Sequence, residues 1–309
     1  MIIDVHTHAY PAHILRRVTE RMGWVSGNRV EIEGTPDGLV ESMERTGVDY
    51  SVFLPVATNP KQVGTLNAQA IQFMERYHER GLISFGAVHP DTENVREVLR
   101  GIKNAGLRGI KIHPDYQQTY FDDIRYMRIL DAASELELFV LTHAGMDEMY
   151  PEEVHCDIKH ILNVIQSVNS DYLILAHMGG WQRWRDVENY VCGAPVYLDT
   201  AFSLTGTVDV ENNGVFGAML DDETFVRLVR KHGVGKILFG SDTPWSSQQE
   251  NVAWVQGCSL SDHEKRYVLG ENAVRILGIS RDSTRQSTGT GSGCEPVRSA
   301  EYKHGVLDC

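Results

Sequence analysis

Eight short apolar, β-branched runs are spaced along the chain with longer helical stretches between them, and this alternation limits the fold more than any other feature. The runs are Ile2–His8, Asp49–Pro55, Leu82–His89, Gly109–His113, Leu138–His143, Tyr172–His177, Val196–Thr200 and Lys236–Asp242. The segments Gln62–Arg80, Glu93–Ala105, Asp123–Glu137 and Asp157–Val168 repeat apolar residues at helical spacing. Strands separated by helices pair in parallel through right-handed crossovers. Eight such units close a (β/α)8 barrel, whereas about six make an open doubly wound sheet. The expected fold is therefore an α/β (β/α)8 barrel.

One further helix is predicted after the last strand. Ser261 and Glu264 form the pattern of a capping box, apolar residues from Tyr267 to Leu277 follow, and Gly278 is a natural stop. From Arg281 the chain turns to Ser, Thr, Gly and Arg, a composition too poor in apolar groups to offset chain entropy. The expected organisation is a barrel over residues 1–280 and a flexible tail over 281–309.

The strand ends carry the functional signal. Apolar strands normally finish in turn residues, but here they finish His6-Thr7-His8, His89-Pro90-Asp91, His113-Pro114-Asp115, His143-Ala144-Gly145, His177-Met178-Gly179 and Gly240-Ser241-Asp242. In this barrel the C-terminal strand ends surround the active site. Side chains alternate along a strand, so Asp4, His6 and His8 share one face, with Ile3 and Val5 on the other. Putting Ile3 and Val5 against the helices turns both histidines inward. His6 and His8 then lie about 7 Å apart, close enough to converge on one ion. Asp4, one layer deeper, is expected to accept a ligand N–H.

Composition excludes several partners. The formal net charge of -13 repels phosphate backbones, so nucleic acid is not expected. The five cysteines form no close pair, which fits reduced thiols in a cytoplasm better than disulfides or a thiolate zinc site. No signal peptide and no bilayer-length apolar run stand out, so a soluble cytoplasmic protein without membrane contact is expected.

Asp-Val-His-Thr-His at 4–8, Thr-His-Ala-Gly at 142–145, Ala-His-Met-Gly-Gly at 176–180 and Phe-Gly-Ser-Asp-Thr-Pro-Trp at 239–245 occur in that order. With them the chain resembles the amidohydrolase superfamily, in the branch that includes aminocarboxymuconate semialdehyde decarboxylase and related metal-dependent hydrolases. The resemblance runs from Met1 to about Gly278. It implies a divalent ion held by His6, His8, His143 and Asp242, zinc first, with manganese or iron as alternatives. His177 resembles the histidine that acts as acid/base or polarises the substrate. Lys111 occupies the strand where two-metal members carry a bridging group; a structural lysine and a single ion are the expectation here. Relatives of this kind imply a homodimer.

The expected chemistry is hydrolysis of a small amide, lactone or ester by a metal-activated water, with Asp242 taking the water proton and His177 stabilising the oxyanion. The alternative is non-oxidative decarboxylation, for which Arg183 and Arg185 are candidate carboxylate partners. His113, His155, Trp181 and Trp245 are expected to touch the small-molecule substrate, with Tyr150 and Phe202 as further wall candidates.

Overall fold

The computed structural model describes residues 1–26, 32–169, 171–205 and 219–280, and Met1–Gly278 forms one compact unit. The tail expected at 281–309 lies outside the described residues. Among the described residues, nine strand segments occur in chain order: β1 (Ile3–Thr7), β2 (Tyr50–Phe53), β3 (Leu82–Ser84), β4 (Gly86–Ala87), β5 (Gly109–Ile112), β6 (Phe139–Thr142), β7 (Leu173–Leu175), β8 (Tyr197–Asp199) and β9 (Ile237–Leu238). All paired neighbours are parallel, in the orders β1-β2-β3 and β4-β5-β6-β7-β8-β9.

β3 and β4 are two pieces of one stave, parted only by Phe85, whose N–H still donates to Phe53 O at 3.0 Å. On the far side, Val5 N donates to Phe239 O at 2.9 Å, Asp242 N to His6 O at 2.9 Å and His8 N to Thr243 O at 2.7 Å. Backbone bonds thus link the first stave to the last, and the eight staves form a (β/α)8 barrel. Each stave falls within one of the eight sequence runs, but most stop short of the polar residue that ends the run.

Residues from helices pack around the strands in a large apolar core, with a small separate cluster of Ala57, Val63 and Ala87. Among the helices are α1 (Ala12–Ser26), α2 (Pro36–Thr46), α3 (Val63–Tyr77), α4 (Val95–Asn104), α5 (Ile124–Glu135) and α6 (Ile158–Ser167). β1, β5, β6 and β7 are buried along their whole length, as parallel strands covered on both faces must be. Thr35, Asp123 and Asp157 cap α2, α5 and α6 by accepting backbone N–H bonds. Among the described residues, no helix is long and apolar enough to cross a membrane.

The predicted C-terminal helix is present as Asp262–Arg266, a wider turn over Tyr267–Glu271, and Asn272–Leu277, ending at Gly278 with φ 62°. Its capping box is formed as expected: Glu264 N donates to Ser261 Oγ, and Ser261 N to Glu264 Oε2. Glu264 also takes two bonds from Arg230, at 2.9 and 3.1 Å. The Arg230 bonds, followed by those of Ser261, lower the Glu264 pKa from 4.5 to about 2. A depressed carboxyl pKa contributes stability above the unfolded value that is lost as pH falls through the folded one. Glu264→Gln should therefore lower Tm by about 2 °C near pH 7, equivalent to at most about 1 kcal/mol for so exposed a pair. The gap from wild type should close as pH drops from 4.5 toward about 2. Calorimetry across that window checks it; a gap that ignores pH removes the ionic explanation.

Candidate metal centre

His6 lies within β1, and the other candidate donors follow strand ends, where the chain leaves the ladder and its side chains are free to turn inward. His177 and Asp242 adopt left-handed backbone angles, φ 59° and 67°, which cost a non-glycine residue conformational energy and are kept only under tight constraint. Part of that constraint is close packing: a Cβ on Gly240 would come within 2.9 Å of His6 Cβ.

The tautomers follow from hydrogen bonds on the outer edge of each ring. His6 Nδ1 donates to Asp199 Oδ2 at 2.9 Å, and His8 Nδ1 to Leu54 O at 2.9 Å. His143 Nε2 donates to Met146 O at 3.0 Å, and His177 Nδ1 to Ala201 O at 2.8 Å. A neutral imidazole has one N–H, and in all four rings an outward acceptor takes it. Burial keeps His6, His143 and His177 neutral by lowering their pKa values.

The inner nitrogens are left as bare lone pairs facing one another. His143 Nδ1 lies 3.0 Å from His177 Nε2. His6 Nε2 and His8 Nε2 lie 3.6 and 3.2 Å from Asp242 Oδ1. Lys111 Nζ, 3.2 Å from His6 Nε2, donates to one of these sites. Burial would push the Asp242 carboxyl up, but its contacts with His6 and His8 hold it well below the usual carboxylate range. With the ring protons turned outward, the inner nitrogens and the Asp242 carboxylate are left as electron-pair donors. The donor set of imidazole and carboxylate suits a divalent metal.

His6, His8 and Asp242 can hold one ion directly. His143 reaches them through His177, and it also groups with His113 and Asp147. Lys111 is not at the rim: it is 1% exposed, and burial lowers its pKa to about 8 against the opposing pull of Asp199 and Asp242.

Asp4 corrects the sequence expectation. Its carboxylate accepts bonds from the backbone of His6 and Ser241 and from the side chains of Ser241 and Gln248, not from an imidazole. It braces the strand end before Asp242. The ring of His6 is held by Asp199, at the end of β8, which the sequence reading passed over. Asp199 Oδ1 also accepts from His177 N and Ala201 N, both at 3.0 Å.

The centre opens into a cavity of about 1410 Å3. His113, Trp181, Trp245, Tyr150 and Phe202 line it, joined by Tyr10 and Tyr116. His155 does not line it. Its Nδ1 donates to Asp115 Oδ1 at 3.1 Å, behind the wall. Arg183 and Arg185 are also outside the lining, and Arg183 pairs with Asp157 at 3.4 Å. Periodicity places strand side chains, but it does not say which way a loop residue turns.

A family model described as amidohydrolase matches residues 3–279. A search of curated proteins found no match. Among solved structures, the dihydroxybenzoic acid decarboxylase of Polaromonas sp. JS666, with bound manganese and 2-nitroresorcinol, superposes with TM-score 0.66 at 14% identity over 92% of this chain and 99% of that one. A 2,6-dihydroxybenzoate decarboxylase bound to 2,6-dihydroxybenzoate gives TM-score 0.64 at 14% identity, covering 90% and 99%. The 5-carboxyvanillate decarboxylase of Sphingomonas paucimobilis gives 0.63 at 13%, again covering 90% and 99%. At these identities the likeness is one of fold.

Asp199→Asn keeps the shape but replaces a charged acceptor with an amide that can turn its NH2 toward His6. Metal affinity should fall about 10- to 100-fold, as losses of such outer carboxylates do, with unchanged circular dichroism. Competition against a calibrated chelator measures it, and unaltered affinity would show that Asp199 does not orient the ligand.

Proposed function

Because the chain belongs to the amidohydrolase family, we propose that it is a metal-dependent carboxy-lyase that removes carbon dioxide from an aromatic carboxylate. The observation that carries this reading is the group of His6, His8 and Asp242, which can hold one ion, with the facing inner nitrogens of His143 and His177 beside it, at the end of an aromatic-walled cavity. His6, His8 and Asp242 would hold the ion, with His143 as the fourth donor. Bound there, a divalent cation supplies Lewis acidity toward a carboxylate oxygen. Manganese and zinc both suit the donors.

The chain's own residues do the rest. Tyr10, Tyr116, Trp181, Phe202 and Trp245 offer ring faces and edges against which an aromatic substrate stacks. When the bond between ring carbon and carboxyl carbon breaks, carbon dioxide leaves and the ring carbon needs one proton. His177 is placed to deliver it: Nδ1 stays anchored on Ala201 O, and Nε2, once it has taken a proton from water in the cavity, hands that proton to the ring carbon. Lys111 adds a buried cationic group beside the donors, a role Arg183 and Arg185 cannot take from outside the cavity. The names of the structurally similar decarboxylases support this choice over hydrolysis.

Hydrolysis is the second reading. Asp242, held ionised beside His6 and His8, is suited to take a proton from a water attacking a carbonyl.

Manganese- or zinc-loaded protein should be offered aromatic carboxylates, lactones, amides and esters while carbon dioxide is monitored. Release from a carboxylate supports the lyase; cleavage of an ester, lactone or amide without it transfers the assignment to the hydrolase. His177→Asn should retain metal and lose about 100-fold or more in rate. His6→Ala should lose metal, and full activity in metal-free protein would end both readings.

A further inference from the structure

Asp147 stands in the loop after β6 and lines the same cavity, yet nothing in the chemistry above uses it. Its carboxylate is 10% exposed. One oxygen, Oδ1, accepts Met149 N at 2.8 Å, which fixes the side chain in place. The other, Oδ2, has His113 Nε2 at 3.5 Å, too far for a good hydrogen bond. A carboxyl group keeps acceptor lone pairs in either protonation state, so most of this capacity is open. Among the described residues no lysine or arginine makes an ion pair with Asp147.

The surroundings narrow what could fill it. Burial first, and then the charges of Asp115, Glu148 and Asp242, push the Asp147 carboxyl up to about 8, so further negative charge is costly here. A second carboxylate on the substrate is therefore disfavoured, and a neutral or cationic donor is favoured. The edge is also rigid. The His113 ring lies between Tyr116, with centroids 3.7 Å apart, and His143, at 4.2 Å, all three nearly parallel. Tyr116 N approaches His113 Nδ1 at 3.4 Å, which leaves the ring proton on Nε2, directed at Asp147.

We propose that Asp147 is a specificity-determining residue that accepts a hydrogen bond from a hydroxyl or amino group on the substrate, while the substrate's carboxylate is held at the metal centre. This deepens the carboxy-lyase reading and rests on it. A buried acceptor left unpaired by a ligand lacking the donor is what makes such a site selective.

The test is calorimetric titration of the full-length, manganese-loaded protein with benzoate, the three monohydroxybenzoates and the corresponding aminobenzoates. At least one donor-bearing isomer should bind about tenfold or more tightly than benzoate. The hydroxy and amino series separate the two kinds of donor. Asp147→Ala should bring the preferred isomer down to the benzoate level while benzoate itself binds as before. Asp147→Asn, which keeps one acceptor oxygen and the side-chain volume, should fall between and guards against loss of fold in the alanine variant. Metal content and thermal unfolding are measured alongside. Equal binding of benzoate and every donor-bearing isomer, or a preference that survives both substitutions, overturns the proposal and leaves the carboxy-lyase reading standing. Failure of every benzoate to bind removes the two together.

Discussion

Imidazole protons govern the interior of this barrel. Each of four rings around the mouth spends its one N–H on an acceptor behind it: a carboxylate for His6, carbonyl oxygens for His8, His143 and His177. What faces inward is electron-rich on every side. Packed side chains could not hold so many lone pairs against Asp242 without positive charge between them, and Lys111 answers for one contact only. The rest of the site can be read as support for that arrangement. Asp199 links a ring on the first stave to the turn after β7, and Asp4 ties the first stave to the segment before Asp242.

Chain geometry cooperates with this chemistry. His6 is turned inward by strand alternation within β1, whereas the other donors lie past stave ends, where a residue can adopt φ values that aim a side chain at the axis. His177 and Asp242 do so in left-handed geometry. The strain is held in place by neighbours that leave no room to relax, Gly240 against His6 among them.

Much of this was legible in the amino-acid sequence, for stated reasons. Eight runs became eight staves because apolar periodicity reports burial, and burial decides strand and helix here. His6 and His8 could be placed inward by parity alone. Parity also carried a signal for Asp199, at the end of the seventh stave, but one aspartate there stands out less than the five strand ends that bear histidine. Asp4 was turned inward correctly but given the wrong partner, since a face assignment does not say which neighbour a carboxylate meets. His155 and Arg183 lie in irregular segments, where no period relates position to direction; one sits behind the cavity wall and the other outside the lining. Asp147 was missed for the same reason.

Gly145 has φ 88°, and a Cβ there would lie 2.2 Å from Trp181 N. Around it, Trp181 N donates to Ala144 O, Met146 N to Trp181 O and Gly145 N to Cys156 O, so two rim loops are stitched main chain to main chain. That side of the mouth is thereby laced together next to His143 and His177. Diversification of substrate range within this architecture would then have to come from the opposite bank, where Ile14, Arg17, Leu66 and Phe73 present side chains to the cavity from helices rather than from that laced backbone. Variation can accumulate on one shore while the other keeps its chemistry intact.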